Sequence, residues 1–107
     1  MKTCKFCAII RDSTLSLRVF ENEQLIVIRD IHPQAPYHVL VIPKEHFKSL
    51  IDVPDSIIVA LFHAAKECIL REKLRGFRLI NNGLSSAQID HVHLHILGNY
   101  RRTQTIG

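Results

Sequence analysis

The chain has 107 residues, of which 47% are hydrophobic, and a formal net charge of +4 at pH 7. This size and composition suit one packed domain over residues 1–107 that needs no disulfide support. No apolar run is long enough to cross a bilayer, and the N-terminus lacks a secretory hydrophobic segment, so we expect a cytoplasmic protein that does not bind a membrane. The basic residues are scattered, which argues against nucleic acid as a partner.

The first half of the chain predicts a short helix followed by three strands. Apolar residues at helical spacing predict a helix over residues 6–11. Runs rich in β-branched residues predict strands over Arg18–Glu21 and residues 25–28, joined by a turn, and a third strand over residues 37–42. The two prolines in residues 30–36 predict a loop before this third strand.

The second half predicts one long helix and two more strands. An apolar face predicts the main helix from residue 54 to about residue 74, and Gly76 is where we expect it to have ended. Further strands are predicted over Phe77–Ile80 and residues 89–97, with a loop of small and polar residues between them. Hairpin-linked strands with one long crossing helix indicate an α+β domain with a five-stranded, mainly antiparallel sheet.

The most informative segment is the run from His91 to Leu97, in which His91, His93 and His95 alternate with apolar residues. Because successive side chains of a strand point to opposite faces, the three imidazoles should share one face, about 6.6 Å apart along the strand. Three polar rings side by side are costly to bury without partners or a ligand. The run therefore predicts a site that faces a phosphate or a metal ion, rather than an ordinary core strand.

This segment resembles the signature of the histidine triad (HIT) family of nucleotide-binding hydrolases and transferases. Residues 30–46, with the run from Asp30 through His38 to His46, resemble the upstream block of the phosphoramidase-like branch of that family. Together with the turn at Asn81, the resemblance covers all but the last nine residues. It implies a HIT-like five-stranded sheet, a homodimer with one continuous ten-stranded sheet, and hydrolysis at the α-phosphorus of a nucleotide derivative.

The resemblance also implies catalytic roles for His91, His93, His95 and Gln88. His93 would be the nucleophile, forming a nucleotidyl-imidazole intermediate that water hydrolyses to release a nucleoside monophosphate, AMP in the simplest case. The carbonyl of His91 would hold the other ring nitrogen of His93 as a donor. Because the phosphoryl centre is anionic, His95, Gln88 and His38 are candidates for contacting its oxygens, and no divalent metal is expected to be required.

For the nucleoside part, the resemblance implies that Asp30 accepts hydrogen bonds from the ribose hydroxyls, since a carboxylate is a natural acceptor for a diol. Asn81 would support the ribose and phosphate side. An apolar slot for a purine base is expected between a set of apolar side chains, which are Ile28, Ile31, Phe6 and Ile10.

The pair Cys4 and Cys7 raises the question of a metal. In some members of the family two such cysteines complete a tetrahedral structural zinc site with two histidines, which correspond here to His46 and His91. Two free thiols or a redox pair are the alternatives for the cysteines. Cys68, on the apolar face of the long helix, is expected to be a core residue.

Two other functions remain open at the level of sequence. Gln88 stands where the family usually has a serine or threonine hydroxyl, and this departure fits a non-catalytic nucleotide-binding sensor or scaffold protein. The cysteines and histidines together fit a zinc-handling module.

Overall fold

A computed structural model of the chain describes residues 4–99. Within this range the chain forms two α-helices, five strands and three short 3-10 turns. The helices are α1 (Lys5–Arg11) and α2 (Asp55–Glu72). The strands are β1 (Arg18–Glu21), β2 (Leu25–Arg29), β3 (Tyr37–Pro43), β4 (Phe77–Ile80) and β5 (Leu94–Gly98), and the 3-10 turns are Ser13–Leu15, Leu50–Asp52 and Leu84–Ser86.

The five strands form one antiparallel sheet in the order β1-β2-β3-β5-β4. This confirms the predicted α+β fold. The pairing aligns Ile28 of β2 with Leu40 of β3, and Leu40 with His95 of β5. Side chains from three neighbouring strands are therefore at the same level of the sheet, which is where the site described below is built.

The two helices cover opposite faces of this sheet. On one face, α2 packs through Leu61, Ala65 and Cys68 against a cluster that includes Val39 and Val41 of β3. On the other face, α1 packs over a second cluster made of Phe6, Ile9, Ile26, Ile28, Leu40 and Ile42. The period of two along a strand separates the clusters, so His38 shares the α1 face with Leu40.

The predicted strand over residues 89–97 is wrong at its beginning, because β5 starts only at Leu94. His91 and His93 precede it. The ladder with β3 reaches no further than Leu94 and the ladder with β4 stops at His95, so no strand pairing holds the earlier residues in register. The N–H of Val92 donates instead to the carbonyl of Phe47, at 2.8 Å.

The end of the long helix also differs from the prediction. α2 ends at Glu72, and Lys73 adopts the left-handed conformation with φ of 52°. The N–H of Leu74 then donates to the carbonyl of Ile69 at 3.1 Å, which closes the helix before Gly76 is reached. Among the described residues, no helix combines the length and the hydropathy that crossing a bilayer requires.

Candidate functional site

A cavity of about 540 Å³ opens on the α1 face of the sheet. Its walls come from α1, the turn after α1, the end of β2 with the following loop, β3 and residues 82–95. The apolar part of the lining is Phe6, Ile9, Leu15, Ile28, Ile31, Leu40 and Ile89. The polar part is Lys5, Ser16, Arg29, Asp30, His32, Gln34, His38, Asn82, Ser86, Gln88, His93 and His95. Such a cavity suits a ligand that has a flat apolar part and an anionic part.

Most residues singled out in the sequence lie on this wall, namely Phe6, Ile28, Asp30, Ile31, His38, Gln88, His93 and His95. Three of the residues that were predicted for catalysis or nucleotide binding do not line the cavity. Ile10 packs beside the apolar cluster under α1. The side-chain amide of Asn81 donates to the carbonyl of His93 at 3.0 Å, so it supports the wall from behind. The ring of His91 is fully buried and faces the two cysteines.

Some lining residues were not singled out in the sequence, although a periodic signal exists for two of them. Ile9 follows Phe6 by three positions in α1, and Leu40 follows His38 by two positions in β3. The same-face rules for helices and strands identify both. Asn82 and His32 lie in loops, where no periodicity indicates which side chains reach the cavity.

His93 is held as a neutral imidazole with a defined proton position. Its Nδ1 lies 2.8 Å from the carbonyl oxygen of His91, which can only accept, so the proton is on Nδ1 and the lone pair is on Nε2. Burial lowers the pKa of His93, although the bond to the His91 carbonyl opposes this. The ring edge of Phe6 packs against it, with centroids 4.9 Å apart. His93 therefore presents an unprotonated nitrogen at the cavity wall.

His95 is held in the opposite tautomer by a chain of hydrogen bonds. The backbone N–H of Gln34 donates to Nδ1 of His38 at 3.0 Å, so the proton of neutral His38 is on Nε2. That nitrogen lies 2.9 Å from Nδ1 of His95, which must accept. The remaining proton of His95 is therefore on Nε2, as a donor. Burial, with smaller effects from His93 and His38, lowers the pKa of His95 to about 4.

Asp30 sits beside this chain of hydrogen bonds. Its Oδ1 accepts from the backbone N–H of His32 at 2.8 Å, and its Oδ2 lies 3.3 Å from Nε2 of His38. Asp30, His38 and His95 are close enough to be considered as metal ligands, with the candidate atoms within 4.8 Å of one another. The proton on Nε2 of His38 argues against this, because a metal ligand needs the lone pair there. The group suits hydrogen bonding to a ligand better than metal binding.

A second group of side chains lies outside the cavity, where Cys4, Cys7, His46 and His91 meet. Nδ1 of His91 is 3.4 Å from Sγ of Cys4 and 3.6 Å from Sγ of Cys7. Nδ1 of His46 is 3.3 Å from Sγ of Cys7 and 3.1 Å from Nδ1 of His91. We call these four residues the cysteine-histidine cluster.

The cysteine-histidine cluster fits a tetrahedral zinc ion. Zinc bonds of about 2.0–2.3 Å place tetrahedral ligands roughly 3.3–3.8 Å apart, close to the spacings found between these atoms. His91 is also prepared as a ligand, since its Nε2 donates to the carbonyl of Pro43 at 2.8 Å and leaves the lone pair on Nδ1. Four protein ligands leave no position for water, so zinc here would hold α1 to the segment before β5 and take no part in chemistry.

The prediction that three imidazoles in one row face the same ligand is therefore wrong for His91. Only His93 and His95 line the cavity, and the ring of His91 belongs to the cysteine-histidine cluster. Before Leu94 no strand pairing holds the chain in register, and the bond from Nε2 of His91 to the carbonyl of Pro43 leaves Nδ1 facing the cysteines. His91 contributes to the cavity only through its carbonyl group.

The chain matches known proteins over nearly all of its length. The family model of the HIT domain matches residues 12–102. A HIT family hydrolase from Legionella pneumophila is 36% identical, with a TM-score of 0.89 over 98% of this chain and 100% of that chain. Adenosine 5'-monophosphoramidase HNT1 of Saccharomyces cerevisiae is 34% identical over 96 residues, which are 88% of this chain and 61% of that protein.

One of the similar solved structures is a zinc-bound protein. A Zn-bound histidine triad family protein from Mycobacterium smegmatis is 28% identical, with a TM-score of 0.84 over 98% of this chain and 80% of that chain. The shared fold, the histidine run and the length of the family match agree with one another. The chain therefore belongs to the histidine triad (HIT) family.

Proposed function

We propose that this protein is a hydrolase that cleaves conjugates of nucleoside monophosphates, phosphoramidates among them, and releases AMP or a related monophosphate through a nucleotidyl-His93 intermediate. The observation that carries the proposal is the buried, neutral ring of His93, whose proton is fixed on Nδ1 by the His91 carbonyl. A lone pair on Nε2 at the wall of a nucleotide-sized cavity suits attack on phosphorus. The likeness to HNT1, which is named an adenosine 5'-monophosphoramidase, supports the substrate class.

The two parts of the cavity lining suit the two parts of such a substrate. Phe6, Ile28 and Ile31 form apolar walls for a purine base. Asp30 is oriented by the N–H of His32 and keeps lone pairs free for ribose hydroxyls. His95 offers the proton of Nε2 to a phosphate oxygen, where negative charge must be stabilised.

The reaction takes place in two displacement steps. Nε2 of His93 attacks the α-phosphorus, a P–N bond forms, and the bond to the leaving group breaks with its electron pair on the leaving atom, which takes a proton from solvent. Water then attacks phosphorus, the P–N bond breaks, and the proton of the water returns to solvent. Because Nδ1 keeps its proton throughout, the His91 carbonyl stabilises the charge that the ring gains on attack.

A trapping experiment tests this proposal. The protein is mixed with adenosine 5'-phosphoramidate in the presence of a chelator, quenched, and digested for mass spectrometry. We expect one adenylyl group on the peptide that contains His93, and neither adduct nor turnover in His93→Ala, which should still bind AMP. His63→Ala, at an exposed position of α2, is the matched control and should behave as wild type. An adduct or full turnover in His93→Ala would exclude the mechanism.

The same experiment separates the hydrolase from the second candidate function. Gln88 is exposed on the cavity wall at the place where the family usually has a hydroxyl group, which favours a nucleotide-binding sensor that does not cleave. AMP binding with neither adduct nor cleavage across phosphoramidates, aminoacyl-adenylates and diadenosine polyphosphates would establish the sensor instead.

We also propose that the cysteine-histidine cluster binds one structural zinc ion per chain. The spacing of its four ligand atoms and the Zn-bound relative support this. Thiolate ligands persist in a reducing compartment, which supports a cytoplasmic location.

A homodimer is the assembly that we propose. The sheet ends at β1 on one side and at β4 on the other. Each edge strand exposes one phenylalanine, Phe20 of β1 at 42% and Phe77 of β4 at 45%, but β1 also carries the ion pair between Arg18 and Glu21. Pairing of two β4 strands would produce one ten-stranded sheet. Light scattering should give twice the 12.3 kDa chain mass, and a monomer mass at micromolar concentration would exclude the dimer.

A further inference from the structure

The C-terminal end of α1 is held by a side chain from another element. Arg18, the first residue of β1, donates from Nη2 to the carbonyl oxygens of Ile9 at 2.6 Å and Ile10 at 3.0 Å. These carbonyls lie in the last turn of the helix, where no backbone N–H of the helix remains to bind them. A cation at this end is also favourable for the helix dipole.

The guanidinium group of Arg18 is itself fixed in place. Its side chain is only 15% exposed, and Nη1 donates to Oε1 of Glu21. Oε2 of Glu21 binds Nζ of Lys44 at 2.7 Å, and these bonds to Lys44 and then Arg18 keep the pKa of Glu21 below its ordinary value. The chain of charges from Lys44 through Glu21 to Arg18 therefore joins α1 to the edge of the sheet.

The helix held in this way forms one wall of the cavity. Phe6 and Ile9 line the cavity, and the ring of Phe6 packs on His93. With seven residues, α1 is too short to be stable through its own hydrogen bonds. Its position must come from its packing and from attachments at its two ends, which are the cysteine-histidine cluster at one end and Arg18 at the other.

We propose that Arg18 is a positioning residue of the nucleotide site, which fixes the C-terminal end of α1 and thereby sets the distance between the Phe6 and Ile9 wall and the opposite wall of the base slot. This inference rests on the proposed function, because it assumes that the cavity binds a nucleotide. Arg18 does not itself line the cavity.

The inference predicts an effect on binding that is larger than the effect on the chemical step. Loss of the bonds from Arg18 lets α1 move and widens the base slot, so nucleoside binding weakens. The proton of His93 is held by a backbone carbonyl, that of His91, and α1 contacts these two histidines through residues at its N-terminal end, remote from the end that Arg18 holds. Arg18→Met should therefore raise KM and the Kd for AMP about tenfold, the effect of losing a charged hydrogen bond, while kcat changes much less.

The test compares Arg18→Met and Arg18→Lys with wild type by calorimetric titration with AMP, steady-state kinetics and amide hydrogen exchange. Lysine keeps the charge and can reach one carbonyl, so Arg18→Lys should recover most of the affinity. Exchange should accelerate in α1 in Arg18→Met and be restored in part by lysine. Arg71→Met, which removes an exposed cation near Glu72 on α2, is the matched control and should leave AMP binding unchanged.

Several outcomes would overturn the inference. An unchanged Kd for AMP in Arg18→Met would remove Arg18 from this role, and so would equal losses in kcat and affinity, or failure of lysine to restore binding. If Arg18→Met does not fold, Arg18→Gln takes its place, and an unchanged Kd for AMP in that variant despite faster exchange in α1 would also exclude the role. A wild type that binds AMP but never cleaves would defeat the proposed hydrolase and still leave the AMP titrations to decide on Arg18.

Discussion

Three of the histidines that line the cavity, His38, His93 and His95, have their proton positions set by main-chain groups. A carbonyl, which can only accept, sets His93, and an N–H, which can only donate, sets His38 and through it His95. One ring therefore offers a lone pair and the other offers a proton, although the residue type is the same. This division suits one histidine that acts as a nucleophile and another that donates a hydrogen bond to a phosphate oxygen at neutral pH.

The role of His38 can be tested with one variant that removes both ring nitrogens and one that keeps an N–H group near the position of Nε2. His38→Phe removes the donor to His95 and frees its tautomer, so kcat should fall on the order of 100-fold, the effect of losing one donor to an oxygen that gains negative charge. His38→Gln keeps an N–H close to the place of Nε2 and should retain most activity. Single-turnover rates with an adenosine phosphoramidate measure the difference. Equal activity in the two variants, at equal AMP affinity, would show that the tautomer of His95 does not matter.

At the scale of single residues, the sequence was sufficient to predict that His93 and His95 lie at one site, but not that the ring of His91 faces elsewhere. The alternation from His91 to His95 placed three rings on one side, and the ring of Phe6 does contact both His91 and His93. The direction of His91 depends on Pro43 and Cys4, which are distant in sequence. Contacts of this kind leave no local pattern that can be read.

At the scale of elements, α1 is the part of the fold that depends most on its attachments. Cys4 caps its beginning, with Sγ accepting from the N–H of Cys7 at 3.5 Å, and both thiols belong to the cysteine-histidine cluster. Zinc in the cluster would add binding free energy to the folded state alone. The metal should therefore stabilise this helix more than any other element.

Metal removal should affect α1 locally before it affects the whole domain. We expect about one zinc per chain by elemental analysis. After chelation, or in Cys7→Ser, we expect faster amide exchange in Lys5–Arg11 and a lower Tm. AMP should bind more weakly because α1 forms a wall of the cavity, while kcat is retained because no cysteine of the cluster lines the cavity.

Cys68→Ala provides the comparison, since Cys68 is 2% exposed and packs from α2 against the sheet. It should lose stability through the cavity left in the core and keep its zinc. Full zinc content in Cys7→Ser, or α1 exchange that chelation does not change, would contradict the assignment of the cluster.

The elements themselves were largely predictable from periodicity, and the errors lie at the beginning of β5 and at the end of α2. β5 begins at Leu94 because its ladder with β3 ends there, which depends on a strand that is distant in sequence. α2 ends at Glu72, and the next residue, Lys73, has the left-handed conformation that a lysine adopts less readily than glycine. Gly76 therefore gave the stronger signal, although the helix ends before it.

At the scale of the whole molecule, the buried histidines determine how stability changes with pH. Burial lowers the folded pKa of His95 from 6.5 to about 4, and burial also lowers that of His38, with the charge of Asp30 opposing it. Between these folded values and the ordinary value, the unfolded chain binds more protons than the folded chain. The stabilisation that depends on these neutral histidines is therefore complete above the ordinary histidine pKa, and it decreases as pH falls towards the folded pKa values.

Urea unfolding at about pH 7.5 and about pH 5.5 measures this effect. The free energy of unfolding should be smaller at the lower pH, with about 1 kcal/mol of the difference due to His95. His95→Gln should reduce the difference by about that amount. The lowered carboxyl pKa values of Asp12 and Glu21 lie below this range and add little. Equal stability at the two pH values would show that these rings are not buried in solution.

His91 serves two neighbours through two chemically separate parts. Its ring binds among the thiols, while its peptide oxygen holds His93. Every amino acid has a backbone carbonyl, so the hydrogen bond to His93 would be kept if His91 were replaced by any residue that adopts the same backbone conformation. Under the proposed function, loss of the cysteines and of a zinc ion during divergence would therefore leave the hydrogen bond that orients His93 in place.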